Sequence, residues 1–378
     1  MFLVLTRQGL AQDMSQAYAQ AAYAQQMAYA QQMAYAQQMG YGRQAAYAQP
    51  MGPGPQAAAP GVADQAAAGQ PCQSCDGLCA SACDPNWAIF GEFIYLRPRN
   101  AEVAYAVPAT TLPPPGPPEL GPVGVVDPDW NPGFRVGFER KLNETSSIGA
   151  DYTFFQSHEA NAIVPPGGDF LFPLVLQPGT GSATLLFDSA TASQDIDFQR
   201  VNADYRSVLA CGPTYSVTLV NGLCYAHLKQ GFNADFTALN IGATAVTTSS
   251  NFDGGGLQTG LELEKHACNS GFMVYGRGMA SFLGGKFDNG YLQNGLFGTE
   301  VNTSWKAGRV VTILDLETGF GWANRNDTIR LTAGYVFNGW FNVVKTNDFI
   351  NAVQNDNFTG LNDSLSFDGF VGRAEVRF

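Results

Sequence analysis

A chain of 378 residues with a net charge of -12 and only 14% charged side chains offers no basic patch for nucleic-acid phosphates. No run of roughly 18 apolar residues occurs, which excludes a transmembrane helix. The 43 Gly, 26 Phe and 15 Tyr suit short strands in a membrane barrel or a large extracellular β protein.

Residues 1–13 read as a truncated signal-peptide-like segment. Phe2 to Leu5 is a brief apolar core and Gly9-Leu-Ala-Gln12 a small-residue cleavage region; a start codon further upstream would supply the missing basic region. Residues 14–86 are expected to be a disordered tether. Tyr18, Tyr23, Tyr29, Tyr35, Tyr41 and Tyr47 recur in an Ala-Tyr-Ala-Gln-Gln-Met repeat, with no aliphatic stripe to offset ordering entropy. Six helical residues advance about 240° beyond a full turn, so the tyrosines would not share one helix face. Cys72, Cys75, Cys79 and Cys83 close the tether. In an oxidising compartment their spacing favours disulfides over metal, with three connectivities open, and no metal or cofactor is expected.

From Trp87 onward the pattern has a period of two. Trp87–Arg97 is aromatic, with a lone Glu92. In Gly133–Arg140, Phe134, Val136 and Phe138 alternate with Arg135 and Glu139. In Ile148–Phe154, the apolar Ile148, Ala150, Tyr152 and Phe154 oppose Asp151. Asp197–Arg206 puts Arg200, Asn202, Asp204 and Arg206 on one face. Strands are expected at Tyr215–Phe232, Gly256–Lys265, Phe272–Leu283, Val310–Ala323 and Thr328–Asn342, and a last one from Ser366 to Phe378. In the last, Phe370, Gly372, Ala374, Val376 and Phe378 alternate with Arg373, Glu375 and Arg377. The stretches 107–132, 158–194, 233–253, 284–308 and 343–364 read as long loops. Asn221-Gly222 is a hairpin signal lying inside a strand, so it marks a bulge or a different register. Cys224 is expected to be buried and free, and Cys211 and Cys268, both in short turns, could pair.

Long and short connections alternate throughout. Short turns on one side and long loops on the other point to an all-β outer-membrane barrel, antiparallel and up-and-down. The count is about 10 strands, or 12 if a hairpin hides near Phe170–Leu176. An even number places both ends of residues 87–378 and the tether on the periplasmic side.

Three stretches resemble the Legionella-type major outer-membrane (pore-forming) protein family: Phe90-Gly-Glu-Phe-Ile-Tyr-Leu-Arg-Pro-Arg99, Asp129-Trp-Asn-Pro-Gly-Phe-Arg-Val-Gly137 and Asp151-Tyr-Thr-Phe-Phe-Gln-Ser-His158. The ending Leu365–Phe378 has the same style, and the resemblance spans residues 87–378. It implies an outer-membrane barrel with pore activity, with Phe378 as part of the signal read by the barrel assembly machinery.

The inward faces carry the functional candidates. They are Arg135, Glu139, Asp151, Arg200, Asp204, Arg206, Glu262, Glu264, Asp315, Glu317, Arg330, Arg373, Glu375 and Arg377. Mixed signs allow either a solute-selecting lining or a salt-bridged filling. About eight strands leave an interior that side chains fill, and open porins have about 16–18, so ten or twelve imply at most a narrow channel. Asp-rich loops would favour cations mildly at its mouth. The expectation is a narrow porin-like channel for small solutes in outer-membrane lipid. The alternative is a plugged structural or adhesive barrel acting through its long loops. No enzyme is expected: His158 with Glu159 lies at a strand exit without an aspartate partner in view, and the Gly254–Gly256 and Gly284-Gly285 runs lack the Lys-Ser/Thr of a phosphate loop. Solute identity and oligomeric state are not written in the residues.

Overall fold

The computed structural model describes residues 86–109, 121–167, 169–238, 241–267 and 270–378. The signal-like segment, the tyrosine repeat, the four clustered cysteines and Cys268 lie outside these residues.

Ten antiparallel strands close a barrel. In chain order they are β1 (Trp87–Arg99), β4 (Asn131–Asn143), β5 (Ser146–Ile163), β7 (Ser189–Cys211), β8 (Tyr215–Ala238), β9 (Gly242–His266), β10 (Phe272–Gly295), β11 (Gly298–Ala323), β12 (Ile329–Val343) and β13 (Asp363–Arg377). The wall closes because β1 pairs with β13 on one side and β4 on the other. The terminal aromatic residue takes part: Trp87 and Phe378 exchange two backbone hydrogen bonds of 2.9 Å. Three shorter strands, β2 (Val103–Ala109), β3 (Gly124–Val126) and β6 (Phe170–Pro173), form a separate sheet in the order β3-β2-β6. The stretch near Phe170 thus adds no stave to the wall.

Several long loops expected from the sequence are strand. Residues 233–238, 242–253, 284–295 and 298–308 belong to β8, β9, β10 and β11, which run 24 to 26 residues each. A span needs only about 9–11 residues, so these strands project well beyond the membrane. Their upper halves escape a search for lipid-facing hydrophobes because they face water. There the faces invert. In the lower half of β7, Arg200, Asn202, Asp204 and Arg206 point inward while Val201 and Tyr205 face out. In its upper half Ala190, Ala192, Ile196 and Phe198 are buried inward, and Thr191, Asp195 and Asp197 take the outer face. The same change occurs on β10, where Phe287 and Tyr291 are buried and Lys286 faces out. The apolar outer belt, with Phe93, Phe134, Leu223, Leu257, Phe282, Phe320, Leu331 and Phe370 all exposed, marks the membrane zone.

Asn221-Gly222 is neither turn nor bulge. Asn221 pairs with Tyr205 and Gly222 with Asp204 in an unbroken ladder. A Cβ at Gly222 would come within 2.3 Å of the Ala203 carbonyl, so the glycine serves a close strand approach. Residues 343–364, also expected as loop, contain a helix, α1 (Thr346–Gln354). Just before it, Asn342, with a φ of 64°, makes an irregularity near the end of β12. Its buried face, Phe349, Ile350 and Val353, joins one continuous core with Tyr105, Leu171 and Phe187 and with the inward wall residues Phe232, Phe236, Phe252 and Phe287. Gln354 donates to the carbonyls of Leu174 (2.7 Å) and Leu176 (2.9 Å), joining the helix to the segment after β6. Gln230 and Ser250 donate to the Val344 carbonyl at 2.9 and 3.0 Å, anchoring the helix entry to the wall. Cys211 is disulfide-bonded, and Cys224 is buried and free.

Candidate functional site

The lumen is layered. At the periplasmic end is a vestibule of about 1100 Å³, lined among others by Arg206, Glu262, Glu264, Arg277, Arg330 and Arg373. Most of its charges are satisfied within the wall. Arg206 meets Glu139 at 2.5 Å, and Ser147 donates to the same carboxylate. Arg330 grips Glu264 with two hydrogen bonds of 2.9 and 2.6 Å. Glu375 accepts from Arg373 (2.5 Å) and Arg377 (2.6 Å), and Arg377 reaches Asp327 at 2.5 Å. The Arg373 guanidinium also lies 3.7 Å from the centre of the Phe90 ring.

Above the vestibule is a dry ionic layer. Arg135 is bonded to Glu92 at 2.8 Å and lies 3.8 Å from Asp151 and 3.6 Å from Glu317. Across the barrel, both terminal nitrogens of Arg200 meet the two Asp315 oxygens at 2.9 Å. Asp315 also accepts from Asn338, whose carbonyl accepts the Trp340 indole N–H at 2.5 Å. Gln258 donates to Asp204 at 2.8 Å. Burying these charges is tolerable only because they are paired and hydrogen-bonded.

An aromatic layer follows. Phe198 packs on Phe155 (5.3 Å between centroids), Phe367 (4.9 Å) and Trp340 (6.0 Å). β7 and β12 stand five places apart in the ring of ten, so Phe198 and Trp340 meet across the diameter. No side chain in this layer is more than 2% exposed.

All fourteen charged residues named from the sequence point inward, in either the vestibule or the ionic layer. Glu92 and Arg277 join them. Glu92 lies directly opposite Arg135 in register, and a lone carboxylate in an aromatic strand is its signal in the sequence. Arg277 lies between Gly276 and Gly278, where small neighbours hide its alternation. The aromatic layer had no distinct signal, because its residues continue the parity of the polar ones.

His158 does have an aspartate partner. Its Nδ1 lies 2.6 Å from Asp195 on the neighbouring strand, and His227 Nδ1 lies 2.8 Å from Asp253. Both histidines are on strand faces that look outward, away from the lumen. Among the described residues no three His, Cys, Asp or Glu side chains converge as metal ligands.

The family described as Legionella pneumophila major outer membrane protein precursor matches residues 81–377. The chain belongs to that family. As a member of the family it is an outer-membrane β-barrel protein, and the belt, the closed wall and the water-facing upper strands are the physical form of that location. No curated protein matches the sequence. Among solved structures, similarity extends to the outer membrane protease OmpT of Escherichia coli, with 9% identity, 78% of this chain and 97% of that one covered, and a TM-score of 0.44. The outer membrane protein OprG of Pseudomonas aeruginosa has 9% identity, 77% and 96% coverage and a TM-score of 0.28. The Pseudomonas putida toluene transporter TodX has 8% identity, 78% and 90% coverage and a TM-score of 0.24.

Proposed function

We propose that this family member is a barrel whose lumen is closed at rest and which acts through the surfaces it presents on the two sides of the outer membrane. The observation that carries this reading is the contact of Phe198 with Trp340 across the full ring. Above it, α1 and β6 pack with the inward wall residues into one apolar core. In this reading the inward charges held in close ion pairs are a structural filling that rigidifies the lower barrel. Its partners are outer-membrane lipid along the belt and the assembly machinery reading Phe378. The net charge of -12 disfavours nucleic acid. The long upper strands and their connections form the outward binding surface of a structural or adhesive protein rather than an enzyme.

A narrow channel for small solutes with mild cation preference is the second reading. The polar vestibule of about 1100 Å³ favours it as half of a route, but conduction would require α1 and the aromatic layer to move. Swelling of proteoliposomes in a small sugar separates the two readings. Rates equal to protein-free vesicles are expected, and rates that fall with solute size would contradict the closed lumen.

A further inference from the structure

Within the vestibule, one pair differs from the rest. Arg277 on β10 lies opposite Glu262 on β9. Their approach is 3.3 Å, from Nε to a carboxylate oxygen, without the alignment of a hydrogen bond. Every other guanidinium in the cavity whose pairing is described above is held at 2.5 to 2.9 Å. Among the described residues neither the Arg277 nor the Glu262 side chain has a hydrogen bond. Glu262 has one other cationic side chain within 4 Å, Arg206 at 3.7 Å, and Arg206 is already committed to Glu139 at 2.5 Å. Glu317, on the other side of Arg277, is engaged by the Tyr275 hydroxyl at 2.9 Å. A guanidinium fork and a carboxylate thus line one polar cavity, with no side-chain hydrogen bond on either.

We propose that the vestibule is a periplasm-facing binding site for a small zwitterion, an amino acid or short peptide. Its carboxylate is taken by the Arg277 fork and its ammonium by Glu262. An arginine fork matches a carboxylate in two parallel bonds, which the present contact does not supply. A volume of about 1100 Å³ is large enough for a peptide of a few residues. The aromatic layer above makes the cavity a dead end, so it would hold its ligand rather than pass it on. The site does not depend on that closure, so binding and permeation are tested separately.

The test uses the full-length protein in detergent micelles, titrated calorimetrically with dialanine, N-acetyl-dialanine and dialanine amide. Saturable dialanine binding is expected, with each blocked analogue at least about tenfold weaker. Arg277→Gln should weaken dialanine by a similar factor, and Glu262→Gln should remove the advantage of the free ammonium while sparing the N-acetyl analogue. Arg277→Lys, which keeps the charge without the fork, should also bind less tightly. Heat-modifiable gel migration checks that each variant is folded. No saturation by roughly 10 mM dialanine, or equal affinity for the singly charged analogues, overturns the proposal. The analogue series decides even if no variant folds.

Discussion

Arg200 is buried to 5% exposure, hydrogen-bonded to one Asp315 oxygen with its other terminal nitrogen 2.9 Å from the second, and lies two residues from Phe198 on β7. Its charge is tolerable only with that partner. Arg200→Ala leaves Asp315 buried with Asn338 alone and is expected to cost about 3–5 kcal/mol, read as a lower unfolding midpoint in urea. A double replacement of Arg200 and Asp315 by apolar residues of similar volume should cost far less. At the opposite end, Asp348 in the first turn of α1 has one oxygen, Oδ2, buried without a partner. Burial pushes its carboxyl up; Lys345 opposes this and Asp363 adds to it. The native state therefore carries a penalty above the raised pKa that vanishes below the ordinary carboxylate value. Asp348→Asn should stabilise the protein at neutral pH by on the order of 1 kcal/mol, discounted for partial exposure, and should bring no gain below about pH 4. Asp363 has the opposite sign. Its burial raises the pKa, but the ion pair with Lys345 at 2.5 Å and the hydrogen bond from the Ser364 amide together outweigh that and lower it. The stability from this pair is present at neutral pH and is lost as pH falls through the lowered value. Alternation alone gave the inward direction of Arg200. The identity of its partner, 115 residues away on the far wall, was not legible because it depends on barrel closure.

The long strands β7 to β11 extend past β12, β13, β1 and β4. Pairing of β11 with β12 begins only at Thr312, so residues 298–311 have β10 on one side alone. No backbone hydrogen bond from another described segment reaches residues 301–309 on the free side. The Val310 carbonyl on that side accepts from Asn342 at 2.7 Å, which sets the parity: even positions face the free edge. Hydrogen exchange should therefore be at least about a hundredfold faster at the amides of Asn302, Ser304, Lys306 and Gly308 than at Thr303, Trp305 and Ala307. Uniform protection along β11 would mean that another segment covers the edge. Lys306 on the open strand, paired with Asp288 at 2.6 Å, is a charge of the kind that discourages edge-to-edge aggregation. The lower halves of these strands were readable because lipid forces apolar residues outward there. The upper halves were not, since in water the apolar face turns inward and Gly, Ser, Thr and Asn on the outside look like loop.

At the scale of the molecule, a ten-stranded ring is too wide for its own side chains to close along its whole height. The chain fills it with an ionic layer, an aromatic layer and the inward connections that contain α1 and β6. Strand number and orientation were open to the sequence, because the staves alternate and the even count returns Phe378 to Trp87. The filling was not, because a helix of nine residues between two staves carries no sign of pointing inward. Trp340→Ala removes the residue that spans the ring to Phe198 and is expected to cost about 3–5 kcal/mol. It should also permit ion leakage that the parent protein lacks. The most direct measurement is single-channel current of the purified parent protein in a planar bilayer. Silence at moderate voltage, with current steps emerging only in Trp340→Ala or when α1 is displaced, is the predicted result. Stable, ohmic steps from the parent protein would contradict a lumen closed at the Phe198–Trp340 layer.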